Sequence, residues 1–134
     1  MNLNKKILLV FFLLLFTTKG ESVENPKITL KLKYGEVKIE LFKDIAPNHV
    51  ERILELSKKG KYDGVAFHRV IDGFMAQTGD VQHGNTKDNF NPAMVGTGGS
   101  DLPDLKAEFN DVPHERGILS MARSQNPDSA NSQF

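Results

Sequence analysis

The chain has 134 residues, one domain's length, and its 17 basic and 17 acidic residues give no formal net charge. With no cysteine, it is excluded from disulfide scaffolds, thiolate catalysis, iron–sulfur clusters and cysteine-ligated zinc. Lys5, Lys6 and Lys19 precede every acidic residue, so from Glu21 onward 14 of the 17 basic residues face all 17 acidic ones, a balance that lacks the basic face of a nucleic-acid binder.

Residues 1–6 (MNLNKK) form a short cationic start, residues 7–16 (ILLVFFLLLF) an unbroken apolar run, and residues 17–20 (TTKG) a small, polar close. That is the order of a secretory signal. Ten apolar residues fall short of the roughly 20 that a membrane-spanning helix needs. Thr18 and Gly20 place small residues at positions −3 and −1 of a cut before Glu21. The expectation is a cleaved signal at residues 1–20, a secreted or periplasmic mature chain at 21–134, and no stable membrane association after cleavage.

After Pro26, Ile28, Leu30 and Leu32 alternate with Thr29, Lys31 and Lys33, and Val37, Ile39 and Leu41 alternate with Lys38 and Glu40. Period two predicts two half-buried strands, with Tyr34-Gly35-Glu36 as their turn. Pro47 suits the first turn of a helix, and Val50, Ile53, Leu54 and Ser57 follow helical spacing. Lys58, Lys59 and Lys61 complement that helix's C-terminal dipole, and Gly60 is a natural stop.

Residues 65–80 (VAFHRVIDGFMAQTGD) are β-branched and aromatic, with a tight turn expected at Asp72-Gly73. Residues 81–104 are rich in Gly, Asn, Asp and Pro and predict a long surface loop. Residues 117–122 (GILSMA) predict a further strand, and residues 123–131 are turn-like. Five or six strands and one helix are expected, with no internal repeat.

Most catalytic constellations are missing. His49, His68, His83 and His114 lack metal-ligand spacing. Ser100, Ser120, Ser124 and Ser129 lack a nucleophile-elbow setting. Residues 96–99 (GTGG) lack the Lys-Ser/Thr ending of a phosphate loop, so a flexible loop is expected there. Asp101, Asp104 and Glu108 fit no calcium-loop spacing. Neither a metal nor a cofactor is expected. What remains is Arg69, set inside a strand pattern among apolar residues, where arginine is seldom buried without a partner. Either its stem lies along an edge strand's apolar surface or it serves a site.

The stretch FHRVIDGFMAQTGD at 67–80 resembles the signature of cyclophilin-type peptidyl-prolyl cis–trans isomerases. GILSMARSQNPDSANSQF at 117–134 resembles that family's second signature, and the opening hairpin and helix are similar as well, so the resemblance covers residues 27–134. It implies a mainly β fold, an eight-stranded closed antiparallel barrel capped by two helices, incomplete here at the C-terminus. It implies acceleration of X-Pro rotation in polypeptide clients during folding, by a monomer that needs no cofactor and binds no nucleic acid. By the same resemblance, Arg69 matches the catalytic arginine, and Phe74 and Met75 match walls of the proline pocket. Gln77 matches the residue that orients the arginine, and Ala122 and Gln133 match groove residues that hold the peptide backbone. Phe67 and His68 match supporting residues, His68 by packing and hydrogen bonding rather than acid–base chemistry. Two departures stand out. Arg123 takes the place of a small amide, making a more cationic groove rim, and the family's pocket residues beyond Phe134 lie outside the sequence, so a fragment of a longer protein is expected. The alternatives are a non-catalytic proline-peptide-binding or chaperone module and an inactive fragment of the isomerase.

Overall fold

A computed structural model describes residues 24–88 and 90–134. The signal expected at residues 1–20, with its cut at Gly20/Glu21, lies outside the described residues.

Strands β1 (Lys27–Leu32) and β2 (Gly35–Glu40) pair antiparallel, with Ile28 opposite Ile39 and Leu30 opposite Val37 on one face. The other face matches Lys27 with Glu40 and Lys31 with Glu36, opposite charges that suit directly facing positions. Leu41 adds a rung by donating its N–H to Pro26 O at 2.8 Å. The turn falls on Lys33-Tyr34 rather than on the expected Tyr34-Gly35-Glu36, because Leu32 pairs with Gly35 and Lys31 with Glu36. Gly35 has φ +152°, and among the described residues no non-glycine residue has a positive φ, so the glycine takes the conformation that Lys33 and Tyr34 avoid.

Helix α1 (Pro47–Lys58) follows, with proline at its start as expected. Its end is a Schellman motif: Lys61 N–H donates to Leu56 O and Gly60 N–H to Ser57 O, both at 3.0 Å, with Gly60 at φ +66°. Its inward stripe buries Val50, Ile53 and Leu56. Val50 and Ile53 pack with Leu41, and Ile28, Ile39, Leu54, Tyr62, Met121 and Phe134 close around them. Arg52 is also buried, at 7% exposure, because Nη1 donates to Asn131 O at 3.1 Å and Nη2 to Pro103 O at 2.7 Å. The helix thus grips the C-terminal third of the chain with a cation as well as with its apolar stripe.

Strands β3 (Arg69–Ile71) and β4 (Met75–Gln77) form a second antiparallel pair. Isolated bridges join Val65 to Asn85 and Leu105 to Ala130. Four strands are thus defined among the described residues, arranged as two two-stranded sheets. The strand expected at 117–122 is not among them. Alternation supplies such a segment with an apolar face, but a strand also needs successive rungs to a neighbour. Ile118 N–H instead closes a turn onto Glu115 O at 3.1 Å, while Ala122 N–H reaches Gln133 O at 2.9 Å.

Candidate functional site

The β3–β4 hairpin decides which of its side chains meet. Arg69 is paired with Gln77, Val70 with Ala76, and Ile71 with Met75, which leaves Asp72, Gly73 and Phe74 as a three-residue loop. Phe74 N–H closes it onto Ile71 O at 3.1 Å, and Gly73 supplies φ +70°. A two-residue turn would have put Met75 and Gln77 on the face opposite Arg69. The third loop residue reverses that parity, so Arg69, Ile71, Met75 and Gln77 share one face. Arg69 is exposed, and its Nη1 stands 3.5 Å from Gln77 Oε1, the outer limit of a hydrogen bond. Met75 is half-buried on this face, whereas Phe74 sits in the loop with 74% of its surface exposed.

Gln77 leads onward. Its Nε2 donates to Gln133 Oε1 at 2.8 Å, and Gln133 Nε2 donates to Gly96 O at 3.0 Å and Gly98 O at 2.7 Å. Thr78 and Phe134 exchange backbone hydrogen bonds at 2.9 and 3.1 Å, and Ser132 Oγ donates to Gly79 O at 2.7 Å, which fixes the segment carrying Gln133 beside β4. Gln77, Ala122 and Gln133 therefore line one groove of about 500 Å³, together with residues 96–100 and Arg123. Arg69 stands next to it through Gln77, while Phe67, Phe74 and Met75 are not in its lining. Arg123 lies over the Phe109 ring, 5.8 Å from its centroid, and Asp104 also lines the groove, so the rim carries both signs of charge.

His68 precedes Arg69 with its ring half-buried and with neither ring nitrogen hydrogen-bonded. It packs closely instead: a Cβ built on Gly96 would stand 3.0 Å from His68 Cδ2. Phe67 is exposed. One residue that sequence reasoning passed over is Asp80, which has no exposed surface. Burial by itself would raise its pKa, but N–H groups of His83, Gly98, Gly96 and Gln82 converge on the carboxylate and hold the pKa below the usual value. The 96–99 stretch, expected to be a flexible loop, is anchored by this carboxylate. The local half of the signal, an aspartate able to accept the N–H groups two and three residues on, is legible in the sequence. The half that reaches 96 and 98 is not.

The family model for "Cyclophilin type peptidyl-prolyl cis-trans isomerase/CLD" matches residues 27–134. The chain belongs to this family. A "Probable peptidyl-prolyl cis-trans isomerase" of Brucella suis biovar 1 is 59% identical over 118 residues, which cover 88% of this chain and 60% of the relative. A "Peptidyl-prolyl cis-trans isomerase" of Synechococcus elongatus is 41% identical over 95 residues, covering 71% of this chain and 57% of that one. Among solved structures, a cyclophilin-type isomerase of Cryptosporidium parvum, determined in the presence of the dipeptide Ala-Pro, superimposes with a TM-score of 0.67 at 32% identity. That likeness covers 81% of this chain and 65% of the Cryptosporidium one. A cyclophilin of Hirschia baltica superimposes with a TM-score of 0.58 at 26% identity, over 81% of this chain and 55% of its own. The chain thus spans about 60% of the length of the Brucella relative. The matched residues include both the Arg69 hairpin and the Gln133 segment.

Proposed function

We propose that this cyclophilin-family chain supplies the catalytic face of a peptidyl-prolyl cis–trans isomerase acting on X-Pro polypeptides, with Arg69 as the catalytic residue. The observation that carries the reading is the shared face of Arg69, Met75 and Gln77, continued by Gln77 to Gln133 and the groove.

The chemistry needs little more than such a face. Rotation about an X-Pro bond is opposed by about 18–20 kcal/mol, because resonance gives the C–N bond partial double-bond character. No bond breaks, so neither nucleophile nor cofactor is required. As the amide twists, its nitrogen loses conjugation and regains a lone pair. A donor aimed at that nitrogen stabilises the twisted form and neither planar one, which is differential binding of the transition state. A guanidinium is permanently charged and carries a rigid fork of donors, so one N–H is free for substrate while another stays with Gln77. Met75, half-buried on the same face, and Phe74, at the adjoining loop, are the apolar groups for the proline ring. Ala122 and Gln133 line the groove that takes the flanking peptide.

The finer architecture belongs to the same reading. Both hairpins are parts of one closed antiparallel barrel, which the likeness to the Cryptosporidium and Hirschia cyclophilins supports. Export by a cleaved signal at residues 1–20 is read from the apolar run in the sequence, and N-terminal sequencing of the secreted product tests it, since a product beginning at Met1 would refute it. The chain acts as a monomer on unfolded or partly folded clients.

The test is Arg69→Ala in a protease-coupled isomerisation assay. Removing one preorganised donor aimed at the twisted amide costs about 3–4 kcal/mol. At about 1.4 kcal/mol per tenfold, turnover should fall roughly a hundredfold or more. The melting curve should barely move, because Arg69 is exposed and its side-chain partner among the described residues, Gln77, stands 3.5 Å away. Near-normal turnover by the variant removes Arg69 from its role. Peptide binding without turnover by the unsubstituted chain favours a binding module instead.

A further inference from the structure

The relay that ends on Arg69 begins at a carboxylate for which the proposed reaction has no use. Asp80 has no exposed surface. Its Oδ1 accepts Gln82 N–H at 3.1 Å and His83 N–H at 2.9 Å, and its Oδ2 accepts Gly96 N–H at 2.7 Å and Gly98 N–H at 3.0 Å. Gly96 and Gly98 therefore turn their N–H groups to Asp80 and their carbonyls to Gln133 Nε2.

The polarity of every later step follows from that orientation. A side-chain amide has one donor end and one acceptor end. Because two carbonyls take Gln133 Nε2, its Oε1 faces Gln77. Because Gln133 Oε1 takes Gln77 Nε2, Gln77 Oε1 faces Arg69. Were Gln133 reversed, Gln77 would reverse in turn and set an NH2 group against the guanidinium, donor against donor. Only glycines permit the clamp. A Cβ on Gly98 would stand 2.5 Å from Asp80 Oδ1, and one on Gly96, at φ +97°, 3.0 Å from His68 Cδ2.

We propose that Asp80 is a positioning residue for the isomerase reaction: it pins the backbone at 96–98, and through Gln133 and Gln77 it aims the Arg69 guanidinium. The proposal rests on the isomerase reading above. Asparagine in place of Asp80 keeps the shape but sets an NH2 group among four converging N–H donors, so the clamp loosens without a change of size.

The experiment compares the full chain with its Asp80→Asn variant in the isomerisation assay, alone and combined with Gln77→Ala. Asp80→Asn should lower kcat/KM roughly tenfold to a hundredfold, the scale of losses from misplaced catalytic groups, and the loss should fall on kcat more than on KM. In the Gln77→Ala background it should add little, because the relay is already cut. A merely structural role would give the same loss in both backgrounds. The Gln77 and Gln133 side-chain amide signals in an NMR spectrum should also shift in Asp80→Asn. Unchanged kcat/KM, equal losses in the two backgrounds, or unmoved Gln77 amide signals would each overturn the proposal. If Asp80→Asn fails to fold, the unsubstituted chain decides: Gly96 and Gly98 amide protons should exchange slowly, and exchange at open-loop rates would overturn it. An unsubstituted chain without turnover defeats the isomerase reading, and the amide signals still judge the relay separately.

Discussion

Exchanging Glu108 for glutamine removes one charge from the start of a helix some sixty residues earlier in the chain. The N-cap of helix α1 is Ala46, which offers no side-chain cap, and the helix's first turn holds no acidic residue. Glu108 fills both gaps: Oε1 accepts Asn48 N–H at 3.0 Å and Asn48 Nδ2 at 2.6 Å, and Oε2 accepts His49 N–H at 3.0 Å. His49 Nε2 returns a contact to Lys106 O at 3.0 Å. Burial would raise the Glu108 pKa, but the His49 and Asn48 N–H groups outweigh it and hold the carboxyl below its usual value. Glutamine keeps one acceptor and turns an NH2 group toward the helix, so one backbone N–H loses its partner. An unpaired N–H costs about 1–3 kcal/mol. The lost charge–dipole attraction, at a side chain only 11% exposed, adds about 1 kcal/mol. A total of about 2–4 kcal/mol should lower Tm by roughly 8–16 °C at about 4 °C per kcal/mol for a chain of this size. The readout is circular dichroism at the helical band, recorded against pH. A carboxyl whose folded pKa is depressed contributes stability above its unfolded pKa of about 4.3, and that stability is lost as pH falls through the lower folded value. The gap between the unsubstituted chain and Glu108→Gln should therefore be widest near neutrality and close in acid. A fall in Tm under about 2 °C, or a gap that persists below about pH 2, would refute the assignment of Glu108 as the α1 cap.

Two further substitutions probe the frame around the site. Ile53, 2% exposed between Leu41 and Val50, should cost about 3–4 kcal/mol when replaced by alanine, read from the denaturant midpoint at constant m-value. A loss under about 1 kcal/mol would mean that α1 does not anchor this core. Gly79→Ala would set a Cβ 2.6 Å from Ser132 O at φ +89°, so it should part the Thr78–Phe134 pairing and cost about 2 kcal/mol or more, along with isomerase activity. An unaltered melt would show that this junction yields freely.

Hairpin β1–β2, helix α1 and the Arg69 stretch were legible from residue order because each is governed by neighbours within a few positions. Alternation put Ile28 and Leu30 on the face that Ile39 shares, and the spacing of Val50 and Ile53 put them on the buried stripe. Helix periodicity could not place Arg52 inside, since the carbonyls that accept its guanidinium belong to Pro103 and Asn131, up to 79 residues away. Local reading also left the hairpin turns imprecise: the first falls on Lys33-Tyr34 rather than Tyr34-Gly35-Glu36, and in the second Phe74 joins Asp72-Gly73. At β3–β4 that single residue decides which side chains accompany Arg69, because strand faces alternate with period two. The candidate site divides along the same line. Arg69, Met75 and Gln77 were visible as a run of suitable residue types. Their company with Gln133, and the glycine-borne clamp of Asp80 beneath them, join segments 16 to 56 positions apart. Hydrogen bonds of that reach leave no periodic trace in a sequence. They exist only once the backbone has folded back on itself and set donor against acceptor.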